Sequence, residues 1–377
     1  MNKYDRPAGS YISFMSNKVK TYGGINLAQG IPGFQPPQKL LEILSDITHE
    51  SVHQYAPGTG NNELIKLLLD KYTEYSSFTA ENFLITNGGT EAVSLLYTYF
   101  HKMFKDDFSA LAFEPVYESY KELPGIFNTG FISFAYTDKG EIDFSYLEEI
   151  CVLNHVRVIF LNTPGNPFGK IWAKEEIAEL IKISEQHDIF IVLDAVYQEL
   201  YFDEEPYHPV NQLTERVFYV NSFSKLLSIT GWRLGYLICD RGHMHEIKAI
   251  HDYTGLSSPS VLQEALAVFL KKYHWGRDYT ATLRCKLRES FHLLSGDLID
   301  LGFRIPEIKG GFFIWAQLPE GIEDGFTFTM ELYEKEKVAV IPGEHFGARY
   351  KNYVRFNIAR EREDIAEASK RIKRFLS

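Results

Sequence analysis

The sequence SFSKLLSITGWRLG, at residues 222 to 235, overlaps the end of the apolar run VFYVNSF at 217 to 223. Its lysine, Lys225, therefore stands at the end of a predicted buried strand, where a charged amine is costly unless it is neutral or bonded. A covalent bond to an aldehyde satisfies that condition and uses the nucleophilicity of the amine. Three nearby side chains can donate hydrogen bonds to a phosphate: Ser222, Ser224 and Arg233. The segment predicts a reactive amine beside a phosphate-binding site.

Outside this segment, short apolar runs alternate with stretches of helical periodicity. Runs that are apolar on both faces are typical of a sheet covered by helices on each side, so the pattern predicts an α/β protein with a largely parallel sheet. The predicted strands are FLIT at 83 to 86, ALAFEP at 110 to 115, VIFLNTP at 158 to 164, FIVLDAV at 190 to 196, VFYVNSF at 217 to 223 and LGYLICD at 234 to 240. Helices are predicted at 174 to 186, where apolar residues recur at spacings of three and four, and at 90 to 104.

The pattern changes after about residue 275. Charged helices at 284 to 298 and 364 to 375 surround two strand candidates, GGFFIWAQL at 310 to 318 and YVRFNIA at 353 to 359. In a chain of 377 residues, such a change predicts a second, smaller domain.

Composition and charge narrow the class of partner. Hydrophobic residues make up 45% of the chain and charged residues 24%, which is ordinary for a globular protein. A net charge of -11 argues against nucleic acid, which requires clustered basic residues. The chain has no apolar leader segment and no run of about 18 apolar residues, so we expect a cytoplasmic protein without a membrane partner. Three cysteines without ligand spacing, Cys151, Cys239 and Cys285, predict reduced thiols and no metal site.

Two further groups of residues stand where α/β sheets bind ligands. Asp194 closes the apolar run FIVLD, at the carboxyl end of a predicted strand. Its carboxylate could bind a protonated ring nitrogen, or it could cap the following segment. Gly88, Gly89 and Thr90 follow the strand FLIT and open a helix, so backbone N–H groups and the positive helix end can face a phosphate. The same three residues also fit a simple helix entry.

Together these segments resemble the fold-type I pyridoxal phosphate-dependent aminotransferases of class I/II. The resemblance extends from INLAQGIPGFQPP at 25 to 37 to VRFNIAR at 354 to 360. It implies a three-layer α/β sandwich with a mostly parallel seven-stranded sheet, plus a smaller α+β domain. The implied domains are a large cofactor-binding domain at 40–275 and a small domain at 1–39 and 276–377. The implied cofactor is pyridoxal 5'-phosphate, held as a Schiff base on Lys225.

The resemblance also implies roles for the residues around the cofactor. The phosphate is held by the serines and arginine of the lysine segment, together with the glycine-rich helix entry. Asp194 pairs with the pyridine nitrogen, and Tyr117 stacks on the ring. Tyr197 and Asn166 hydrogen-bond the phenolic oxygen. From its residue pattern alone, Tyr117 equally fits core packing, and the sequence NTPGNPFG around Asn166 equally fits an ordinary turn.

Arg355 stands in the apolar strand YVRFNIA, where an unpaired guanidinium would be heavily penalised. By the resemblance it binds the α-carboxylate of the substrate, which Gly30 and Asn166 also approach. An ion pair with a protein carboxylate is the alternative. Tyr55, in HQYAPGTG, resembles a family tyrosine that reaches the phosphate of the neighbouring subunit. That resemblance implies a homodimer with shared active sites.

The implied reaction is a ping-pong transamination between an L-amino acid and a 2-oxo acid through pyridoxamine phosphate. The segment at 25 to 37 is most similar to the branch of methionine, kynurenine and glutamine aminotransferases, which implies a neutral, apolar or aromatic substrate side chain. One alternative is a cysteine-conjugate β-lyase, since Lys225, Asp194 and Arg355 would serve it equally. A non-catalytic cofactor-binding regulatory module is less expected, because catalytic-type sequence already begins at Ile25.

Overall fold

The computed structural model describes residues 4–73, 78–137 and 140–377. Its helices are α1 Tyr11–Tyr22, α2 Gln38–Ile47, α3 Asn62–Tyr72, α4 Gly89–Phe104, α5 Glu118–Ile126, α6 Phe144–Leu153, α7 Lys174–Gln186, α8 Phe223–Leu226, α9 Arg241–Thr254, α10 Ser260–Lys272, α11 Arg277–Asp300, α12 Gly325–Glu336 and α13 Arg362–Leu376. Its strands are β1 Ile25–Asn26, β2 Phe83–Thr86, β3 Ser109–Glu114, β4 Gly130–Ala135, β5 Val156–Asn162, β6 Phe190–Asp194, β7 Val217–Ser222, β8 Gly235–Ile238, β9 Phe313–Gln317, β10 Val338–Ala339, β11 Ile341–Pro342 and β12 Tyr353–Asn357.

The largest sheet has seven strands in the order β2-β8-β7-β6-β5-β3-β4. Strands β7, β6, β5, β3 and β4 are parallel, while β8 runs antiparallel to both of its neighbours. The sheet therefore confirms the predicted α/β class with a mostly parallel seven-stranded sheet. The carboxyl ends of β5, β6 and β7 lie side by side, and ligands bind beyond this edge in open α/β sheets.

Alternation along β6 and β7 explains why both faces of this sheet are apolar. Ile191 and Leu193 pack into the core on one face, whereas Val192 packs into the core on the other. Val217 and Val220 divide between the two faces in the same way. Because successive side chains of a strand point to opposite sides, a strand covered on both sides by helices must be apolar at every position.

Most predicted elements agree with the structure, and one strand of the large sheet was missed. The helix predicted at 174 to 186 is α7, and the strand predicted at 83 to 86 is β2. The sequence reading omitted β4, which is Gly130–Ala135. This strand lies at the edge of the sheet and only Phe134 is buried, so it lacks the continuous apolar run that identifies the central strands.

A second core lies around the antiparallel sheet β11-β12-β9. Helices α11 and α13 cover it through Leu287, Leu294 and Ile365. The short strand β1 pairs with β10, so the segment near residue 25 joins this C-terminal part of the chain. That pairing supports a small domain formed from both ends of the chain, whose boundaries at residues 39 and 276 stay a prediction.

Two kinds of feature are absent from the described part of the chain. No helix there is both long and apolar enough to cross a membrane. The same residues contain no group of three or more histidine, cysteine or acidic side chains that could hold a metal ion.

Candidate active site

A cavity of about 250 Å³ lies at the carboxyl ends of β5, β6 and β7. Residues from the large sheet form one side, and residues near β1 and on β12 form the other. Most of the residues predicted from the sequence line it: Gly30, Gly89, Thr90, Tyr117, Asn166, Asp194, Tyr197, Ser222, Ser224, Lys225, Arg233 and Arg355. The fold thus brings together side chains that are separated by more than 300 residues in the chain.

Lys225 lies in the single turn α8, directly after β7. Its amine donates a hydrogen bond of 2.6 Å to the carbonyl oxygen of Gly30. Removal from water lowers the pKa of Lys225 to about 8, and the nearby guanidinium groups of Arg233 and Arg355 act in the same direction. Since only the neutral amine is nucleophilic, this environment activates Lys225 near physiological pH.

Asp194 is the last residue of β6 and its side chain is buried. One carboxylate oxygen accepts a hydrogen bond from the backbone N–H of Val196 at 3.1 Å, so the capping interaction that the sequence left open is present. The other oxygen accepts a 2.5 Å hydrogen bond from the hydroxyl of Tyr120. Burial raises the pKa of Asp194 to about 6, although the Tyr120 hydrogen bond opposes that rise. The carboxylate is therefore fixed in position at the cavity wall and largely ionised at neutral pH.

Tyr120 was not singled out from the sequence. It lies in the first turn of α5, three residues after Tyr117, and its ring stacks on Phe160 with centroids 4.9 Å apart and planes inclined by 5°. The spacing from Tyr117 is visible in EPVYESY, but the contact with Asp194 arises only when α5 packs on β3 and β4 and brings the Tyr120 hydroxyl to the end of β6. A contact of that kind depends on tertiary structure and leaves no local signal.

The predicted phosphate-binding residues surround one end of the cavity. Arg233 donates hydrogen bonds to the carbonyl oxygens of Thr230 at 3.0 Å and Asn87 at 3.1 Å, which ties the lysine segment to the start of α4. Gly88 has a φ of 83°, and a Cβ there would lie 2.7 Å from a guanidinium nitrogen of Arg233. Glycine is thus required for both its backbone conformation and its close approach.

The polar atoms at this end fit a phosphate. Ser222 donates to the carbonyl oxygen of Leu234 at 3.0 Å and accepts from the backbone N–H of Ser224 at 3.1 Å. The hydroxyl of Ser224 is buried and has no hydrogen-bond partner among the described residues. Gly89 opens α4, so backbone donors and the positive helix end face the same space. A bound phosphate would satisfy these groups.

Three of the residues that line the cavity are those predicted to contact the cofactor ring. Tyr117 precedes α5 and contacts Tyr120 edge to face at 5.3 Å, and burial raises the pKa of Tyr117. Tyr197 is buried and packs edge to face on Phe312 at 5.2 Å, and burial likewise raises the pKa of Tyr197. Both hydroxyls therefore stay protonated and can donate hydrogen bonds. The backbone N–H of Asn166 donates to Asn162 Oδ1 at 2.6 Å, which fixes the loop after β5.

Arg355 lies on β12 with an exposed fraction of 0%. It donates to Asn166 Oδ1 at 2.9 Å and to the carbonyl oxygen of Ala28 at 2.5 Å, and its guanidinium carbon lies 4.3 Å from the centroid of the Phe313 ring. Burial lowers the pKa of Arg355 to about 10, which still leaves it charged at neutral pH. Within the described residues, no carboxylate lies at ion-pair distance and its Nε has no hydrogen-bond partner. A ligand carboxylate can supply that missing partner.

Two predicted residues differ from the rest in position. Gly88 does not itself line the cavity, but it lies directly against the guanidinium group of Arg233, which does. Tyr55 is 83% exposed and does not line the cavity of its own chain. Its predicted contact with the phosphate of a neighbouring subunit therefore stays a prediction.

The fold and the cavity together define an enzyme of the pyridoxal phosphate-dependent class. The model of the family described as aminotransferase class I and II matches residues 22–372, so the chain belongs to that family. It is an aminotransferase, and its cofactor is pyridoxal 5'-phosphate. The unpartnered hydroxyl of Ser224 and the close approach of Gly88 to Arg233 fit the phosphate of this cofactor.

Three similar proteins show the range of this family. A probable aspartate aminotransferase of Methanocaldococcus jannaschii is 29% identical over 353 residues, which cover 91% of each chain. The methionine aminotransferase of Escherichia coli is 28% identical over 338 residues, covering 87% of this chain and 85% of that one. The solved N-succinyldiaminopimelate aminotransferase of Mycobacterium tuberculosis has a TM-score of 0.89 and 25% identity, covering 98% of this chain and 97% of that one. The names of these three proteins differ in the amino donor, so membership of the family does not identify the amino donor of this enzyme.

Proposed function

We propose that this aminotransferase acts on L-amino acids with a neutral, apolar or aromatic side chain and transfers the amino group to a 2-oxo acid. The observation that carries the proposal is the set of cations in the cavity. Among the described residues that line it, the cations are Lys225, Arg233 and Arg355. We assign the first two to the cofactor and the third to the α-carboxylate, so none is left to bind a distal carboxylate. Ile12 and Ile31 line the same cavity and supply an apolar surface.

Several residues would hold the cofactor. Ser222, Ser224, Arg233 and the start of α4 would bind the phosphate through the donors described above. Asp194 would bind the ring nitrogen through the carboxylate that Tyr120 orients. When bound, pyridoxal phosphate supplies an electron-withdrawing ring that stabilises negative charge at the substrate Cα.

Substrate orientation depends on a short segment of backbone. The carbonyl oxygen of Ala28 accepts from Arg355, and the carbonyl oxygen of Gly30 accepts from Lys225. One segment therefore fixes the separation of the carboxylate-binding arginine and the amine. In this arrangement Arg355 holds the α-carboxylate, and the neutral amine of Lys225 takes the proton from Cα as the general base.

A substrate screen tests the proposal. The protein with bound cofactor is mixed with single L-amino acids, and the loss of the absorption of the bound cofactor is followed by stopped flow. We expect methionine, norleucine and phenylalanine to react faster than aspartate or glutamate, and double-reciprocal plots against a 2-oxo acid to be parallel. A faster reaction with aspartate would contradict the proposal. Release of pyruvate and ammonia from a cysteine conjugate, without transamination, would identify a β-lyase instead.

The same proposal includes a homodimer with shared active sites and a cytoplasmic location. The exposed ring of Tyr55 supports the shared site, because a tyrosine that serves the neighbouring subunit must lie at the surface of its own chain. We also assign residues 40–275 to the large domain and residues 1–39 and 276–377 to the small domain.

A further inference from the structure

A second cavity of about 470 Å³ adjoins the active-site cavity. The two cavities share three lining residues, Thr90, Glu118 and Ser119. The second one, which we call the outer cavity, is otherwise lined by the segment that begins α1, by α5 and by the segment around His345. A substrate side chain longer than the inner cavity would therefore extend past Glu118 into the outer cavity.

Glu118 is the first residue of α5 and follows the ring-stacking candidate Tyr117 in the sequence. Its carboxylate lies 3.1 Å from His345 Nε2, and 27% of its side chain is exposed. Burial by itself would raise the pKa of Glu118, but the nearby polar side chains of His345 and Ser10, together with the charge of Arg355, outweigh this effect and lower the pKa. The carboxylate is therefore ionised at neutral pH at the junction of the two cavities.

The surroundings hold this carboxylate in place. Tyr11 stacks on His345 with ring centroids 5.5 Å apart, and the hydroxyl of Tyr11 donates to Glu344 at 2.8 Å. Arg6 also donates to Glu344, at 2.8 Å. Glu344, another carboxylate of the outer cavity, is thus already bonded to an arginine and a tyrosine. Glu118 differs from it because it also lines the inner cavity, where the substrate binds.

We propose that Glu118 is a specificity-determining residue that repels a distal carboxylate and accepts a hydrogen bond from a nitrogen at the end of the substrate side chain. Within the neutral class of the proposed function, the favoured substrates are amino acids whose side chains end in an amide, and the amino group of lysine serves as a charged probe of the same carboxylate. The inference rests on the proposed function, in which Arg355 binds the α-carboxylate and the side chain points away from it. It adds a repulsive element to the inner cavity, where none of the described cations is left for a distal carboxylate, and specificity often needs both kinds of element.

A matched set of substrates tests the role of Glu118. Norleucine, glutamine, lysine and glutamate are compared by kcat/KM in the parent enzyme, in Glu118→Gln and in the control Glu122→Gln. Glu122 lines the outer cavity but not the inner one. Every value is divided by that for norleucine, so a defect that affects all substrates equally cancels.

In Glu118→Gln we expect the relative kcat/KM for glutamate to rise by about tenfold and that for lysine to fall by about tenfold, since a charge interaction with the distal group is lost. The control Glu122→Gln should change neither ratio by more than about twofold, because its carboxylate is outside the inner cavity. The variant Glu118→Asp keeps the charge and should keep the discrimination against glutamate.

Different results would contradict the role of Glu118 and the proposed function. If the parent enzyme transaminates norleucine and Glu118→Gln leaves both ratios unchanged, Glu118 does not determine specificity. The inference is equally overturned if Glu118→Asp accepts glutamate as readily as Glu118→Gln does. If the parent enzyme instead reacts with none of the four amino acids, the proposed function is wrong.

Discussion

At the scale of single residues, the amine of Lys225 must be reactive in a site that also contains two arginines. It must be nucleophilic, so it has to lose its proton, yet it lies beside Arg233 and Arg355 in a site built for anions. The two cations that we assign to the phosphate and the carboxylate also disfavour the charged form of the lysine. Binding groups and the reactive amine therefore support one another through electrostatics.

This coupling predicts the pH dependence of cofactor uptake. The pKa of Lys225 is about 8, so below that pH the neutral fraction of the amine falls about tenfold for each pH unit. We expect the rate at which cofactor-free protein forms its covalent link with pyridoxal phosphate to rise from pH 6 to about pH 8 and then to level off. Stopped-flow absorbance measures this rate.

The control is Lys225→Ala, which should bind cofactor more weakly through the phosphate site and show no such dependence on pH. Borohydride reduction followed by peptide mapping should find the cofactor on Lys225 in the parent protein. Attachment to another lysine, or a rate that keeps rising to about pH 10, would contradict the assignment.

Arg355 is predicted to govern affinity for the α-carboxylate. Loss of a buried, charge-assisted pair typically costs about 2 to 5 kcal/mol, so Arg355→Ala should lower kcat/KM at least about tenfold for every amino acid tested. Arg355→Lys should recover little, because an ammonium group cannot reproduce the planar pair of donors. Steady-state kinetics provide the measurement, with an amine that lacks a carboxylate as the control substrate.

That control amine should react at nearly the same rate in the parent and in Arg355→Ala. A loss of activity confined to aspartate and glutamate would mean that Arg355 contacts the distal carboxylate. Both its assigned role and the proposed preference for neutral side chains would then have to be withdrawn.

At the scale of secondary structure elements, α5 sets the state of Asp194, because it packs on β3 and β4 and brings the side chain of Tyr120 to the end of β6. The Tyr120 hydroxyl lowers the pKa of Asp194, against the effect of burial. A hydrogen bond to a charged group contributes about 1.5–3 kcal/mol, which corresponds to about one or two pKa units. In Tyr120→Phe the pKa of Asp194 should therefore rise above about 6, and the acidic limb of the kcat/KM profile should move to higher pH by about one unit.

The matched control is Tyr97→Phe, because the buried ring of Tyr97 also stacks on Phe160 but its hydroxyl bonds to Thr129 instead of Asp194. Its pH profile should stay in place even if stability falls. An unchanged acidic limb in Tyr120→Phe would show that the Tyr120 hydroxyl does not control Asp194. Asp194→Ala should slow proton removal severely while substrate still binds.

The sequence predicts the central strands well, but it predicts only part of the site. The strand β6 is apolar at four consecutive positions before Asp194, so its burial and the position of that carboxylate follow from the sequence. The edge strand β4 has mixed burial and was missed, because edge position is decided by topology. Tyr120 and Glu118 were missed for a related reason. Their roles arise from contacts across elements, with Asp194 and His345, that no local pattern encodes.

At the scale of the whole molecule, the cavity joins two parts of the chain that have separate cores. Lys225 and Asp194 belong to the part with the large sheet, whereas Arg355 lies on β12 in the antiparallel sheet. Relative movement of the two parts would change the distance between the amine and the carboxylate-binding group. The direct hydrogen bond from Lys225 to Gly30 and that from Arg355 to Asn166 hold the two parts together at the site.

Tyr55 provides the prediction that concerns assembly. Its ring is 83% exposed. Gly58, three residues further along the chain, lies beside the backbone of Leu256, which is another exposed apolar residue. We therefore expect this surface to pack against a second copy of the chain. If Tyr55 donates to the cofactor phosphate of its neighbour, Tyr55→Ala should weaken cofactor binding by about tenfold or more, since a hydrogen bond to a charged group is lost. Equilibrium titration of the cofactor-free protein measures this effect.

Mixed dimers distinguish a contribution across the interface from one within the chain. A Tyr55→Ala chain retains Lys225, and a Lys225→Ala chain retains Tyr55, so each variant alone should have little activity when cofactor is limiting. If Tyr55 serves the neighbouring subunit, a mixed dimer contains one complete site, because the Lys225→Ala chain supplies its tyrosine to the site that has the lysine. Activity at limiting cofactor should therefore rise after the two variants are mixed and exchange subunits, in proportion to the fraction of mixed dimers. If Tyr55 instead acted within its own chain, no mixed dimer would contain a complete site and mixing would restore nothing.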